Sequence, residues 1–146
     1  MFDINTNQIY NCNMNIPYRR TSTTVSKINY HFVFCPRYWR KIFLIDGAEI
    51  RFKELVRQIC EANDIMILAM ECHIDHVHLF LNASPKMSPS DIMKVIKQNT
   101  SRALRIEFGS SFQSPTIWMR SYFVSTAGDV SSDTIEKYEN SQKIRG

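Results

Sequence analysis

The chain has 146 residues, a formal net charge of +4 and a pI near 8.9. Its hydrophobic fraction of 44% and aromatic fraction of 12% exclude an intrinsically disordered protein, and its length favours one domain because two would each have a small core. The mildly basic charge permits a nucleic-acid partner without demonstrating one.

The cysteines and the termini indicate a reducing compartment. Cys12, Cys35, Cys60 and Cys72 form no C-x-x-C pair, which predicts reduced, buried thiols rather than a zinc ribbon or a disulfide framework. The N-terminus lacks the basic and apolar regions of a signal peptide, and the apolar run 65–70 is too short to cross a bilayer. We therefore expect a cytoplasmic protein with no membrane association.

The N-terminal half begins with a polar segment. Residues 1–24 are rich in Asn, Thr and Ser and are predicted to form a flexible arm, with the domain at 25–146. An aromatic-rich strand is predicted over 28–34, before Pro36. A helix follows over about 47–63, with apolar residues at helical spacing: Ile50, Leu55, Ile59 and Ala62.

The C-terminal half alternates strands and helices. Strands at 65–70 and 76–82 are predicted to form a hairpin. Ser88, Pro89 and Asp91 mark the start of a second helix that ends near Phe108, before Gly109. A strand over 122–125 precedes a last helix that begins near Asp133 and runs towards the C-terminus.

This order of elements predicts the fold class. The succession β-α-β-β-α-β-α is that of an α+β, ferredoxin-like split βαβ sandwich, in which an antiparallel sheet carries helices on one face. The last helix, which contains Tyr138, is expected to be appended to this core. The fold hosts binding modules and enzymes alike and does not decide the function.

A histidine pair, His76 and His78, is the most informative feature of the predicted strands. Alternate residues of a strand share a face, so the two imidazoles, roughly 7 Å apart along the backbone, are able to converge on one metal ion. The same pattern also fits two hydrated strand histidines. Asp75 is positioned either to orient an imidazole or to cap the hairpin turn.

Tyr138 and Gln142 are four residues apart and share one face of the predicted last helix. They fit either an ordinary polar surface or a chemical role, with Tyr138 as nucleophile and the Gln142 amide oxygen as third metal ligand. Two imidazoles and one amide oxygen make a neutral, incomplete ligand shell that leaves positions open for phosphate oxygens.

Four segments in order carry a resemblance to a known family: 71–81, the basic helix after Ser88, 118–124 and 133–142. Together they resemble the single-tyrosine transposases of the smallest insertion sequences, within the His-hydrophobe-His (HUH) endonuclease superfamily. The resemblance covers roughly residues 26–144.

The resemblance implies an enzyme that nicks and rejoins single-stranded DNA at hairpin-containing element ends. Tyr138 would form a 5′-phosphotyrosine link, and His76, His78 and Gln142 would hold Mg²⁺ or Mn²⁺. Ligand chemistry alone favours Mn²⁺ because imidazole is a soft ligand for Mg²⁺.

The resemblance also implies a homodimer in which the tyrosine helix of one subunit can complete the site of the other, with Gly128 as a hinge. The DNA-binding candidates are basic residues, for each of which a solvated surface role is equally compatible: Arg37, Arg40, Lys41, Lys94, Lys97, Arg102 and Arg105. Trp39 and Trp118 are expected in the core rather than stacked on bases.

The chain departs from the family pattern at three positions. His73 stands where an aliphatic residue is usual, Ile74 where proline is usual, and Asn140 replaces an aliphatic residue on the tyrosine helix. None of these changes removes a group with a predicted catalytic role.

Three alternatives to a transposase share part of this pattern. A zinc-dependent hydrolase would need a further ligand, and no histidine follows His78. A non-catalytic nucleic-acid-binding module of the same fold is a second alternative. A domesticated relative acting on repeated hairpins is a third, and it would share all these residues.

Overall fold

Six strands and two α-helices make up the residues that the computed structural model describes, 17–112 and 115–126. The strands are β1 (Arg19–Arg20), β2 (Val25–Ser26), β3 (Ile28–Phe34), β4 (Met66–Cys72), β5 (Val77–Ala83) and β6 (Phe123–Thr126). The helices are α1 (Ala48–Ala62) and α2 (Pro89–Phe108), and short 3₁₀ turns cover Arg37–Trp39, Ile42–Leu44 and Gly109–Ser111.

The main sheet has the predicted topology. Its four strands lie in the order β4-β5-β3-β6, and every neighbouring pair is antiparallel. The units β3-α1-β4 and β5-α2-β6 therefore interleave, as in a split βαβ sandwich. The predicted α+β, ferredoxin-like class is confirmed, whereas the last helix lies outside the described residues.

Both helices pack on one face of this sheet. Alternate strand residues, among them Phe32, Phe34, Leu79 and Leu81, contact helix residues such as Phe52 and Ile96 in one apolar cluster. The remaining strand residues, which include His31 and His78, point to the opposite face. The sheet thus separates an apolar core from the face that carries the histidines.

Helix α2 begins and ends as the sequence predicts. The Ser88 hydroxyl accepts a hydrogen bond from the Asp91 amide, and the Asp91 carboxylate accepts one from the Ser88 amide. This reciprocal capping satisfies two amide groups that the first helical turn leaves unpaired. Gly109, with a φ of 38°, follows the last helical residue.

The predicted apolar stripe of α1 is partly wrong. Ile50 is 68% exposed, whereas Phe52 and Val56 are fully buried. The stripe that packs on the sheet follows Ala48, Phe52 and Val56, spaced by four residues, and therefore lies on another side of the helix than Ile50.

Strand boundaries and one tryptophan also differ from prediction. The hairpin strands begin one residue later than predicted, so His76 immediately precedes β5 instead of starting it. Trp118 is buried, and its Nε1 donates to Thr100 Oγ1 at 2.9 Å, as expected of a core residue. Trp39 is 40% exposed, so its predicted core position is wrong.

The predicted N-terminal arm is ordered at its C-terminal end. Strand β1 pairs with β2 in an antiparallel hairpin. The Arg19 guanidinium donates to Asn82 Oδ1 and to Asp64 Oδ2, both at 2.8 Å. Residues 17–24 therefore dock onto the sheet, and residues 1–16 lie outside the described residues.

Candidate active site

The β4–β5 hairpin brings three histidines together at one end of the sheet. The His73 amide donates to the His76 carbonyl at 2.8 Å and closes the tight connection between the strands. His78, two residues further along, is fully buried and pairs with Val33 of β3 and Glu71 of β4. A central strand thus holds His78, while a turn holds His73 and His76.

The structure brings the rings of His76 and His78 close together. Their ring centroids are 4.9 Å apart, and the His73 ring stacks on His76 at 4.3 Å. One potential ligand atom from each of the three lies within 4.8 Å of the others. Two nitrogens bound to one ion at about 2.1 Å lie at most about 4.2 Å apart, so small side-chain rotations suffice to bind it.

Each histidine of the predicted pair has its Nδ1 occupied by a neighbour. Asp75 Oδ1 lies 2.7 Å from His76 Nδ1, in the orienting position that the sequence allowed. His31 Nε2 lies 3.1 Å from His78 Nδ1. Metal-binding histidines are generally oriented by such contacts at one ring nitrogen, and they bind the ion through the other.

The donor set therefore fits a divalent cation. Neutral imidazoles bind borderline transition ions well, and a carboxylate that accepts the Nδ1 proton raises the basicity of its ring. The described residues would supply His76 and His78, with His73 alongside them. The resemblance adds Gln142, which lies outside the described part of the chain.

His31 is the site residue that the sequence analysis missed. Its imidazole is 1% exposed, and burial, followed by the charge of His78, lowers its pKa to about 3. It is therefore neutral at physiological pH. It stands in an apolar run, and only the register of β3 against β5 brings it to His78, so no local pattern marked it.

The three thiols among the described residues are poor candidates for a nucleophile. Cys35, Cys60 and Cys72 are free of disulfides, and Cys35 and Cys60 are buried as predicted. Burial raises the pKa of Cys35 to about 11 and those of Cys60 and Cys72 to about 12, so all three stay protonated near neutral pH.

The other half of the predicted site cannot be placed. Tyr138, Gln142 and the hinge candidate Gly128 all lie within residues 127–146, outside the described residues. The structure therefore brings together His76, His78 and Asp75, and their relation to Tyr138 stays a prediction.

Four of the seven predicted DNA-binding residues line one cavity of about 650 Å³: Arg37, Lys97, Arg102 and Arg105. Arg120 joins them from the segment before β6 and was not predicted. Arg40, Lys41 and Lys94 are exposed and do not line this cavity.

Lys97 makes hydrogen bonds within the protein that the sequence did not predict. Its ammonium donates to the carbonyl oxygens of Met119, Arg120 and Ser121, and it lies 5.6 Å from the Tyr122 ring. Burial lowers its pKa below the ordinary value. Lys97 thus ties α2 to the segment before β6 and shapes the cavity from within.

The fold and the histidine pair define the class of protein: an α+β domain of the HUH type, with the pair at the start of a central strand. The family model described as "Transposase IS200 like" matches residues 24–142. Over 103 residues the chain is 37% identical to the transposase of insertion sequence IS200 from Salmonella typhimurium, covering 68% of this chain and 66% of that protein. Over 121 residues it is 27% identical to the ISDra2 transposase TnpA of Deinococcus radiodurans, covering 81% and 86%.

Solved structures agree with this class. A crystal structure of a protein assigned as a transposase from Deinococcus radiodurans superimposes with a TM-score of 0.73 at 26% identity, over 85% of this chain and 97% of that one. A REP-associated tyrosine transposase, solved with a REP hairpin, shares the fold at a TM-score of 0.56 and 15% identity, over 84% and 67%. The chain belongs to the IS200-like transposase family. It spans about two thirds of the length of the IS200 transposases it matches.

No helix among the described residues is both long enough and apolar enough to cross a membrane.

Proposed function

We propose that this protein is a DNA transposase that nicks and rejoins single-stranded DNA at hairpin-containing element ends. The observation that carries the proposal is the close approach of His76 and His78, whose Nδ1 atoms contact Asp75 and His31 and whose rings, with that of His73, could hold a metal ion. Family membership supports the same activity. The proposed substrate is hairpin-containing single-stranded DNA, and the proposed cofactor is a divalent cation.

The chemistry would be a phosphoryl transfer to tyrosine. The Tyr138 phenol gives up its proton as its oxygen forms a bond to a backbone phosphorus, the bond from that phosphorus to the 3′ oxygen breaks, and the leaving oxygen takes a proton to become a 3′-OH. Attack by the 3′-OH of another strand then restores a phosphodiester and releases Tyr138. The number of phosphoester bonds is conserved, so the cycle needs no external energy source.

The protein residues would hold and orient the reacting groups. His76, His78 and Gln142 would hold Mg²⁺ or Mn²⁺, which when bound polarises the phosphate and offsets its developing charge. Asp75 fixes the ring of His76 through the 2.7 Å contact. A phenol with a pKa near 10 is a weak nucleophile at pH 7, which is why Tyr138 needs such activation.

Chain length permits Tyr138 to reach this site. Strand β6 runs antiparallel to β3, and its last residue, Thr126, pairs with Tyr30. His78 pairs with Val33, three residues along the same strand, or roughly 10 Å away. Tyr138 is twelve positions beyond Thr126, and an extended chain of that length spans roughly 40 Å.

The decisive experiment is incubation with single-stranded DNA hairpins and Mg²⁺ or Mn²⁺. A denaturation-resistant protein–DNA adduct is expected from the wild type and not from Tyr138→Phe. Tyr18→Phe, which alters an exposed tyrosine in the N-terminal hairpin, is the matched control and should form the adduct. An adduct from Tyr138→Phe would reject Tyr138 as nucleophile, and DNA binding without any adduct would indicate a non-catalytic module.

The basic cavity is the proposed binding surface for the DNA backbone. Arg102 and Arg120 line it and are exposed, whereas the Lys97 ammonium is engaged with carbonyl groups. Arg102→Gln and Arg120→Gln should each weaken hairpin binding and reduce its salt dependence by about one phosphate contact. Unchanged salt dependence in both variants would place the DNA elsewhere.

We also propose a homodimer with sites that subunits share. Mixing His78→Ala with Tyr138→Phe subunits tests this arrangement, because each variant lacks one half of the site. Adduct formation by the mixture, when neither variant alone forms it, would show that Tyr138 acts on the histidine pair of its partner. Lack of recovery in a verified heterodimer would place both halves in one subunit.

A further inference from the structure

His31 is a buried histidine next to the proposed metal site that the mechanism above does not use. Its ring stacks on Phe80 with centroids 4.1 Å apart and meets the edge of Phe123 at 5.7 Å. Its side chain makes a polar contact with His78, between Nε2 of His31 and Nδ1 of His78 at 3.1 Å. The imidazole is thus enclosed by aromatic rings and aimed at the predicted ligand.

Metal binding fixes the direction of this hydrogen bond. A neutral imidazole that binds an ion through Nε2 must carry its proton on Nδ1. In His78 that proton points at Nε2 of His31, which then has to accept it. The 3.1 Å separation of the two nitrogens lets Nε2 of His31 accept this proton, provided that the proton of His31 itself is on Nδ1.

The arrangement has a cost that a purely structural ring would avoid. When Nε2 of His31 accepts, its own proton is on Nδ1, which is buried and has no hydrogen-bond partner among the described residues. An unsatisfied buried donor has lost its hydrogen bond to water without gaining another, which destabilises the folded state. A phenylalanine at position 31 would continue the aromatic stack with Phe80 without that cost.

We infer that His31 is a positioning residue: it accepts the Nδ1 proton of His78 and so holds the His78 Nε2 lone pair towards a divalent cation. This inference rests on the proposed function, because it assigns His78 as a ligand. The two predicted ligands are then oriented by different groups: the buried imidazole of His31 contacts Nδ1 of His78, and the half-exposed carboxylate of Asp75 contacts Nδ1 of His76.

Two substitutions separate the hydrogen bond from the ring. His31→Phe keeps an aromatic side chain and removes the acceptor. His31→Gln removes the ring but keeps an oxygen able to accept from His78 Nδ1. His31→Leu, which is closer to histidine in volume, replaces His31→Phe if thermal melting shows that the latter does not fold.

The experiment is calorimetric titration of the metal-free full chain with Mn²⁺. His31→Phe should raise the Kd for Mn²⁺ about 10- to 100-fold, the usual effect of removing the group that orients a metal ligand. His31→Gln should recover most of the affinity. Phe80→Leu, which alters the stacking partner and leaves the hydrogen bond, should bind like the wild type.

Two results would overturn the inference. One is an unchanged Kd in folded His31→Phe, and the other is an equal loss in His31→Phe and His31→Gln, which would show that the ring shape matters and the acceptor does not. A wild type that binds Mn²⁺ with the expected dependence on residue 31 but forms no DNA adduct would contradict the proposed function alone. A wild type that binds no Mn²⁺ would contradict both.

Discussion

The two faces of the sheet use the same strands for different purposes. On the helix-covered face, Phe32 and Leu79 are fully buried among apolar side chains from α1 and α2. On the opposite face, their neighbours His31 and His78 are equally buried but hydrogen-bonded to each other. A one-residue step along a strand thus moves from the packing that stabilises the fold to the polar contacts of the proposed chemistry.

This contrast predicts that substitutions on the two faces have separable effects. Those on the helix-covered face should lower the free energy of unfolding, because cavities in a packed core remove both contacts and hydrophobic burial. Those on the histidine face should act first on metal binding and cleavage. Neighbouring residues on one strand therefore provide matched pairs for testing the division.

The largest effect is expected for His78→Ala. Cleavage of single-stranded DNA should fall by at least about 100-fold, the scale seen when a group that stabilises transition-state charge is lost. Hairpin binding, measured by fluorescence anisotropy, should be spared because the basic cavity lies elsewhere. His76→Ala is expected to behave alike, and cleavage unimpaired in either variant would contradict the proposed metal site.

Leu79→Ala, one residue away, is expected to show the opposite behaviour. Truncation of this fully buried side chain should lower the free energy of unfolding by about 2–5 kcal/mol. Urea denaturation measures this loss. The Kd for Mn²⁺ of the folded protein should stay near the wild-type value, and a comparable loss of metal affinity would show that the two faces are not separable.

The same contrast explains what the sequence could and could not predict. Helix α2 follows from local signals, since Ser88 and Asp91 interact across a single turn. The approach of His76 to His78 follows from a spacing of two residues, although His76 lies in the turn before β5 rather than in the strand. In both cases the residues that interact lie within four positions of one another, and the predicted start of α2 is confirmed.

The failures required contacts between distant segments. His31 and His78 are 47 residues apart, and only the pairing of β3 with β5 brings them together. From the sequence, Lys97 was as compatible with a solvated surface position as with DNA binding. In the structure its ammonium donates to the carbonyl oxygens of residues 119–121, more than twenty positions away. Helical spacing alone assigned Ile50 to the buried stripe of α1. The stripe that packs on the sheet contains Phe52, which contacts Trp118, and Ile50 is exposed.

A third, smaller effect is expected within the histidine face. Asp75→Asn removes the carboxylate from His76 Nδ1 but keeps an amide oxygen that can accept the same proton. Because the Asp75 side chain is half exposed, water can also replace it. The Kd for Mn²⁺ should rise about tenfold at most, at the low end for an orienting group. If Asp75→Asn loses more Mn²⁺ affinity than His31→Phe, then Asp75, and not His31, is the more important orienting group.

The smallest effect is expected when the pH of the metal-free protein is lowered, and it is a loss in the free energy of unfolding. The His31 imidazole has a pKa near 6.5 when unfolded and about 3 when folded, so the unfolded chain binds a proton first as the pH falls. The contribution of His31 to stability is therefore complete above pH 6.5 and declines between pH 6.5 and 3. One proton changes the free energy of unfolding by up to about 1.4 kcal/mol per pH unit. Between pH 7 and pH 5 the wild type should lose about 1–2 kcal/mol more than His31→Gln, measured by urea denaturation at each pH. If the wild type and His31→Gln lose equal free energy of unfolding, His31 is also protonated in the native state. A protonated His31 could not accept the Nδ1 proton of His78, and the proposed difference between His31 and Asp75 as orienting groups would fail.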